Sequence, residues 1–303
     1  MKHIINTSIS ALLKGKLMTY VIHGATGAQG GPVLARLIRS GKHAVAAVRN
    51  TSAVKDVSAV AVDNASVDSL ATAYQGAEGV FIHLPVVAEA DRLQYAHNIA
   101  QAIARIKPKR VVISTSGWVV DEPSSPLQNP PESAISTLIR EVQQTGVSLA
   151  IVAPRLFFEN LLIPVVLDSV KSEGILRYPL QTDYPVSWSS HLDVAEVVER
   201  LLTDTSVTGI VGVGQAPGII GQDLAESFAN YLSMPVSFHS IKPEAFGEMI
   251  APLFGEGAAA GVVAGYQAQA QASGNSIAVE TSAQNLLGLT PRTLQQWLTE
   301  ISA

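Results

Sequence analysis

The stretch Val21-Ile22-His23-Gly24-Ala25-Thr26-Gly27-Ala28-Gln29-Gly30 constrains this chain more than any other. An apolar run from Thr19 to Ile22 feeds three glycines spaced G-x-x-G-x-x-G. Behind them Val33, Leu34, Leu37 and Ile38 recur at three- and four-residue intervals, and Gly41 closes the segment. That is the periodicity of an amphipathic helix with a glycine stop. Strand, glycine turn and helix together form the context in which such a pattern binds a dinucleotide. Gly24 permits the tight turn, Gly27 lets the backbone approach a pyrophosphate, and Gly30 lets helix and strand pack closely. The helix N-terminus then offers free N–H groups and a partial positive charge to phosphate.

The rhythm continues downstream. Strands are predicted at 44–48, 59–62, 79–84, 110–114 and 147–152, and helices at 67–74, 88–106 and 131–145. Strands this apolar, alternating with helices, predict an α/β fold with a doubly wound parallel sheet of Rossmann type, covered on both faces. Beyond Pro154 the alternation loosens. Helices are expected near 161–170, 194–202, 222–232 and 243–252, with a strand at 210–213. The Ala/Gly/Gln stretch 255–272 has helical spacing, although its glycines at 257, 261 and 265 oppose a helix. The organisation read from this pattern is a nucleotide-binding domain over 19–155 and a smaller C-terminal substrate lobe over 156–303. Segments near 184–215 are expected to return to the sheet. Residues 1–18 read as a leader, either an extension or a disordered tail, with lysines at 2, 14 and 16 but no small-residue cleavage site.

Composition removes several function classes. A formal charge of −5, with no basic run longer than Lys107-Pro108-Lys109-Arg110, argues against a nucleic-acid groove. There is no cysteine, which excludes disulfides, thiolate metal sites and cysteine nucleophiles. The seven histidines show no metal-ligand spacing, so no metal is expected. No apolar run approaches the length of a membrane span, and the expected location is the cytoplasm.

The ends of the predicted strands carry the chemistry, because open α/β sheets bind ligands at their carboxyl edge. Arg49 ends the second strand, where an acidic residue would hold the ribose 2′-OH of NAD. A planar guanidinium there favours a 2′-phosphate through paired, charge-assisted bonds. NADP(H) is therefore the preferred cofactor, with NAD(H) possible. Asp63 and Asn64 end the third strand, where Asp63 also suits ordinary turn chemistry. His83, Leu84 and Pro85 follow the fourth strand, and Ser114, Thr115 and Ser116 end the fifth. Cofactor contacts are expected from these ends (Ser114 in particular) and from Gly24, Thr26, Gly27, Ala28, Gln29 and Gly30. Asp193, just before a helical run, reads as a cap.

With Gly24-Ala25-Thr26-Gly27-Ala28-Gln29-Gly30, Val48-Arg49-Asn50, Pro154-Arg155-Leu156-Phe157-Phe158-Glu159-Asn160 and Thr290-Pro291-Arg292-Thr293-Leu294-Gln295-Gln296-Trp297 in place, the chain resembles the NmrA-like atypical short-chain dehydrogenase/reductases over 19–301. The resemblance implies an NAD(P)-binding Rossmann domain, a small substrate lobe and a cleft between them. That family includes quinone reductases, triphenylmethane-dye reductases, isoflavone-reductase-like enzymes and non-catalytic NADP-binding regulators. It also implies adenine contacts for Asp63 and Asn64, cofactor contacts for Phe157 and Asn160, and a place near the cleft for His191.

One absence is as informative. Ordinary short-chain dehydrogenases use a Tyr-x-x-x-Lys pair, in which lysine lowers the tyrosine pKa. The residues four beyond Tyr20, Tyr74, Tyr95, Tyr178, Tyr184, Tyr231 and Tyr266 are Gly24, Glu78, Ile99, Thr182, Trp188, Pro235 and Ala270. The resemblance places a catalytic lysine near position 135, and this chain has Ile135 there. Reducing a ketone makes an alkoxide whose conjugate acid lies near the ~16 of water, against ~10 for the phenolate of a reduced quinone. That gap, about 8 kcal/mol, is the burden a general acid would otherwise carry. The expected activity is hydride transfer from NADPH to a quinone-like or other conjugated electrophile. The alternative is a redox sensor that binds NADP(H) and acts through a protein partner. No single catalytic residue is assigned. Ser116, Trp118, Phe157, Tyr184 and His191 are the candidates for the substrate cleft, the aromatics because they suit a flat, conjugated molecule.

Overall fold

The computed structural model describes residues 18–303, so most of the leader expected over 1–18 lies outside the described residues. From Thr19 the chain alternates strand and helix. In order come β1 (Thr19–His23), α1 (Gly30–Arg39), β2 (His43–Val48), β3 (Ala59–Ala61), α2 (Val67–Tyr74), β4 (Gly79–Ile82), α3 (Glu89–Ile106), β5 (Arg110–Ser114), α4 (Ala134–Gln144) and β6 (Ser148–Pro154). Strands β4 and β5 are buried along their whole length. Apolar residues therefore fill both faces, as a covered parallel sheet requires.

Local chemistry sets the boundaries. Helix α4 starts at Ala134, not 131, because the Ser133 hydroxyl accepts the Ser136 N–H and caps it. Helix α3 stops at Lys107, whose left-handed backbone precedes Pro108. The strand expected at 79–84 ends at Ile82, leaving His83, Leu84 and Pro85 in the following loop.

After β6 the chain leaves the sheet. The short strand β7 (Leu156–Phe157) runs into a 3-10 turn, Phe158–Leu162, and then α5 (Pro164–Glu173), with proline in its first turn. β8 (Ile175–Tyr178) and β9 (Trp188–Ser189) follow. Helix α6 (His191–Thr203) leads to β10 (Gly209–Val213), which returns to the main sheet beside β6. The remaining elements are α7 (Gly221–Leu232), β11 (Ser237–Ser240), α8 (Pro243–Phe254), α9 (Glu256–Gln269), α10 (Ala283–Leu287) and α11 (Leu294–Ser302). β7 pairs with β9, and β8 with β11, in two small parallel ladders.

The main sheet has the order β10-β6-β5-β4-β1-β2-β3 and all its pairings are parallel. Leu70, Tyr74, Ile99, Ile103, Leu138 and Val142 pack α2, α3 and α4 on one face. Val33, Leu37, Val198 and Leu201 pack α1 and α6 on the other. This is the doubly wound Rossmann architecture. Its strand order reverses between β1 and β4, which opens a crevice at their carboxyl ends. A third core, with Phe158, Tyr178, Trp188, Phe228, Phe246 and Trp297, fills the smaller C-terminal lobe.

Two buried ionic anchors tie these layers. Arg110, at the start of β5, donates to the carbonyls of Leu201 and Val207 and to Ser148 Oγ. Asp193 completes a capping box with Ser190 at the start of α6, and its Oδ1 also accepts Arg292 Nη1 at 2.8 Å. The second bond ties the segment leading into α11 to the helix that covers the sheet.

Candidate functional site

The glycine turn joins β1 to α1 with no room for side chains at two points. Gly24 has φ +57°, and a Cβ there would overlap His83 Nε2. A Cβ on Gly30 would overlap the carbonyl oxygens of His23 and Gly24, so helix and strand meet backbone to backbone. Thr26, Gly27 and Ala28 are exposed on the outside of the turn. No acidic residue stands in the first turn of α1, and the side chain of its N-cap residue Gln29 makes no capping bond. The positive end of the helix is left for an anion.

A cleft of about 360 Å³ opens in front of this turn. Gly24, Thr26 and Gly27 form one wall, and Arg49, Asp63 and Asn64 form the far end. Arg49 is exposed, with its guanidinium free of ion pairs among the described residues. Asp63 Oδ1 accepts the Ala65 N–H at 2.9 Å, so part of its capacity serves the turn. Asn64 Oδ1 is buried without a partner. His83 and Pro85 line the near side. Burial pushes the His83 imidazole below its ordinary pKa, and its Nε2 is buried without a partner against Gly24. His23 behaves alike: burial, with His83 beside it, pushes it down to about 3, and its Nε2 lies 2.8 Å from the Tyr74 hydroxyl. Both rings are neutral near pH 7. The two histidines of the cleft thus offer hydrogen-bonding atoms without charge, and among the described residues that line it Arg49 is the only cation.

At Val86 the cleft meets a second pocket, of about 640 Å³. Ser116, Trp118, Phe157 and Asn160 line it from the sheet side, and Tyr178, Phe246 and Tyr266 line it from the lobe. Trp118 is 46% exposed at the mouth, with the Arg92 guanidinium 5.3 Å from its ring centre. The Tyr178 and Tyr266 hydroxyls are 2.5 Å apart, and Asn160 hydrogen-bonds Tyr178. Burial pushes both phenols above their ordinary range, so the pair stays protonated. Helix α9 turns small residues, Ala258 and Gly265, toward the same space.

The other sequence candidates fall in four places. Gln29, Gly30, Leu84 and Ser114 are buried behind the cleft wall, and Ala28 is exposed on the turn. The His191 ring lies 4.5 Å from that of Phe157, and its backbone N–H binds Glu159 Oε1 at 2.9 Å. Tyr184 is buried beside a separate hollow with Gln181 and Lys242, its hydroxyl unpartnered. Sequence reasoning missed Val86, Tyr95, Tyr178, Phe246 and Tyr266, which line the two spaces. The last three come from β8, α8 and α9, far along the chain from the glycine turn, and no local pattern marks them. No lysine lines either space, and Ile135 is buried in the sheet core. Among the described residues there is no cluster suited to a metal ion, and no helix is long and apolar enough to cross a membrane.

Several solved structures share this fold. A triphenylmethane reductase of Citrobacter sp., complexed with NADP(H), is 16% identical with a TM-score of 0.77, over 93% of this chain and 99% of that one. An NADPH-dependent quinone oxidoreductase of Escherichia coli, complexed with NADPH, is 15% identical with a TM-score of 0.72, over 94% and 100%. A nucleoside-diphosphate-sugar epimerase of Staphylococcus aureus is 19% identical with a TM-score of 0.77, over 93% and 99%. No curated protein sequence matches. The model of the NmrA-like family matches residues 17–298, nearly the whole length, and the chain belongs to that family.

Proposed function

We propose that the chain is an NADPH-dependent oxidoreductase that passes hydride directly to a quinone-like or other conjugated electrophile, without a Tyr-x-x-x-Lys pair. The observation that carries this reading is the junction at Val86, where the cleft in front of the glycine turn meets an apolar, aromatic-lined pocket that no lysine lines. The division near residue 155 into nucleotide-binding and substrate-binding parts belongs to the same reading.

The residues present fit the cofactor. The turn at Gly24 and Gly30 leaves a cradle that side chains would fill, and the start of α1 faces it without a neutralising acid. Arg49 is the unpaired cation for a 2′-phosphate, and Asn64 Oδ1 and His83 Nε2 are buried atoms still lacking partners. When bound, NADPH supplies the hydride. Phe157, Phe246 and Tyr178 supply walls for a flat ring system and keep water from it. Orientation against the cleft is the main requirement for such transfer, and effective concentration gained this way is worth several kcal/mol. The known activities of the dye reductase and the quinone oxidoreductase of similar fold support the reading.

The test is to mix purified protein with NADPH and a panel of quinones and follow absorbance of the reduced cofactor. Turnover that rises with the electron deficiency of the quinone is expected. Tight NADPH binding with no turnover of any quinone or cationic dye would overturn the proposal in favour of a sensor.

A further inference from the structure

Gln29 belongs to the glycine turn, yet its side chain serves the far side of the site. Its Nε2 donates to Ser116 Oγ at 2.9 Å, and its Oε1 accepts from Ser114 Oγ at 2.7 Å. Ser114 Oγ in turn accepts the backbone N–H of Ser116 at 3.2 Å. Ser116 itself is held at φ +56°, a left-handed backbone uncommon for a residue with a side chain. The glycine turn after β1 and the loop after β5 are therefore joined through one amide.

The direction of this chain of bonds follows from burial. Ser114 is fully buried, so its hydroxyl proton must find an acceptor inside the protein. Gln29 Oε1 provides one. Turning the amide over would point an N–H at Ser114 and leave the Ser114 proton orphaned in the interior. With the amide held this way, Ser116 Oγ receives a proton from Gln29 and keeps its own. That proton has no acceptor among the described residues, and Ser116 is half-buried on the wall of the apolar pocket.

We propose that Gln29 is a positioning residue that aims the Ser116 hydroxyl proton into the substrate pocket, and that the pocket selects ligands carrying an oxygen acceptor at that point. This rests on the reading that the pocket takes the substrate. It deepens that reading by separating two classes of conjugated electrophile. A quinone presents a carbonyl oxygen to the donor, whereas a carbocationic dye presents none. The distinction follows from hydrogen-bonding capacity: a site built to donate discriminates against ligands that cannot accept.

Two variants isolate the effect. Gln29→Glu replaces the donor to Ser116 by a second acceptor, which draws the Ser116 proton away from the pocket. Ser116→Gly removes the hydroxyl and suits the positive φ. The protein is loaded with NADP+, so that no turnover occurs, and titrated with 1,4-naphthoquinone or naphthalene by quenching of tryptophan fluorescence. Each variant is expected to bind naphthoquinone about three- to tenfold more weakly, as for one neutral hydrogen bond, with naphthalene binding within twofold of the parent. The double variant is expected to be no weaker than Ser116→Gly alone, which a merely structural role for Gln29 would not produce. Should Gln29→Glu not fold, Gln29→Leu serves, since it frees the Ser116 hydroxyl to turn. Equal losses for both ligands, no loss for either, or a parent that does not prefer the quinone over naphthalene would overturn the proposal. Failure of the reductase reading is separate: it would leave this binding pattern intact while NADPH and quinones gave no turnover.

Discussion

Glu159 and His191 meet twice: Glu159 Oε1 accepts the backbone N–H of His191 at 2.9 Å and lies 3.4 Å from its Nδ1. The contact fastens the turn after β7 to the first residue of α6, directly behind Phe157. Burial acts on the two groups in opposite senses. It raises the Glu159 carboxyl to about 7 and lowers the His191 imidazole to about 4, His83 adding to the second. Near pH 5.5 the pair holds one proton in the folded chain, on the glutamate, whereas an unfolded chain would hold it on the histidine.

This exchange predicts a stability profile. Between the ordinary carboxyl range and pH 7 the folded chain keeps a Glu159 proton that the unfolded chain has lost, so this contribution falls as pH rises. His191 works the other way, adding stability as pH rises from about 4 toward ~6.5. Glu159→Gln keeps the acceptor for His191 N–H and removes only the falling arm. Its stability relative to the parent should rise by about 1–3 kcal/mol between pH 4 and 8, solvent screening the 27% exposed carboxyl in part. Denaturant melts at both pH values check this, and a constant difference would contradict it.

Cofactor choice should follow Arg49. A charge-assisted phosphate contact is worth about 1.5–3 kcal/mol, so Arg49→Ala should weaken NADPH by about ten- to a hundredfold and leave NADH nearly unchanged. Equal losses for both nucleotides in a titration would refute the assignment.

Arg155 is fully buried, and its Nη2 bridges Asp121 and Glu122 at 2.9 and 2.8 Å. Arg155→Ala would leave two carboxylates facing each other without their cation. A loss of about 3–5 kcal/mol in chemical denaturation is expected. A loss below 1 kcal/mol would mean that the loop carrying Trp118 is held by other contacts.

No tyrosine should be needed as a proton donor. Tyr178 and Tyr266 spend their hydroxyls on each other, and Tyr184 lies off the pocket. Any single Tyr→Phe change should keep hydride transfer within about tenfold, less than most general acids contribute. Phe157→Ala or a bulky replacement of Ser116 should cost more, by disturbing the approach of the reacting atoms. Abolished quinone turnover in one Tyr→Phe variant, with NADPH binding kept, would reveal a tyrosine acid.

The sheet was legible because local sequence determines it. Val80, Phe81 and Ile82 or Val111, Val112 and Ile113 have no polar face, which only a strand covered on both sides explains. Strands β8 and β11 were not, since Ile175–Tyr178 becomes a strand only by pairing with a segment some sixty residues on. Helix α9 forms despite its glycines, helped by packing of Ala259 and Tyr266 into the lobe core. At the site, the turn and Arg49 stood in plain view. The cross-link from Gln29 to Ser116 did not, because the glycine spacing that reveals the turn says nothing about where an intervening side chain points.

The bond between Arg292 and Asp193 also orders events during synthesis. Domains close from the N-terminal side as the chain emerges. Here α6, needed to cover one face of the sheet, is capped locally by Ser190 and Asp193, but the buried Asp193 Oδ1 meets its cation only when Arg292 arrives ninety-nine residues later. Trp297, fully buried in the lobe core, arrives after that. The sheet and its covering helices can thus condense while one buried carboxylate oxygen still lacks its cation, and the pocket takes shape last. A nascent chain would acquire its cofactor cradle before it owns a place for anything to react.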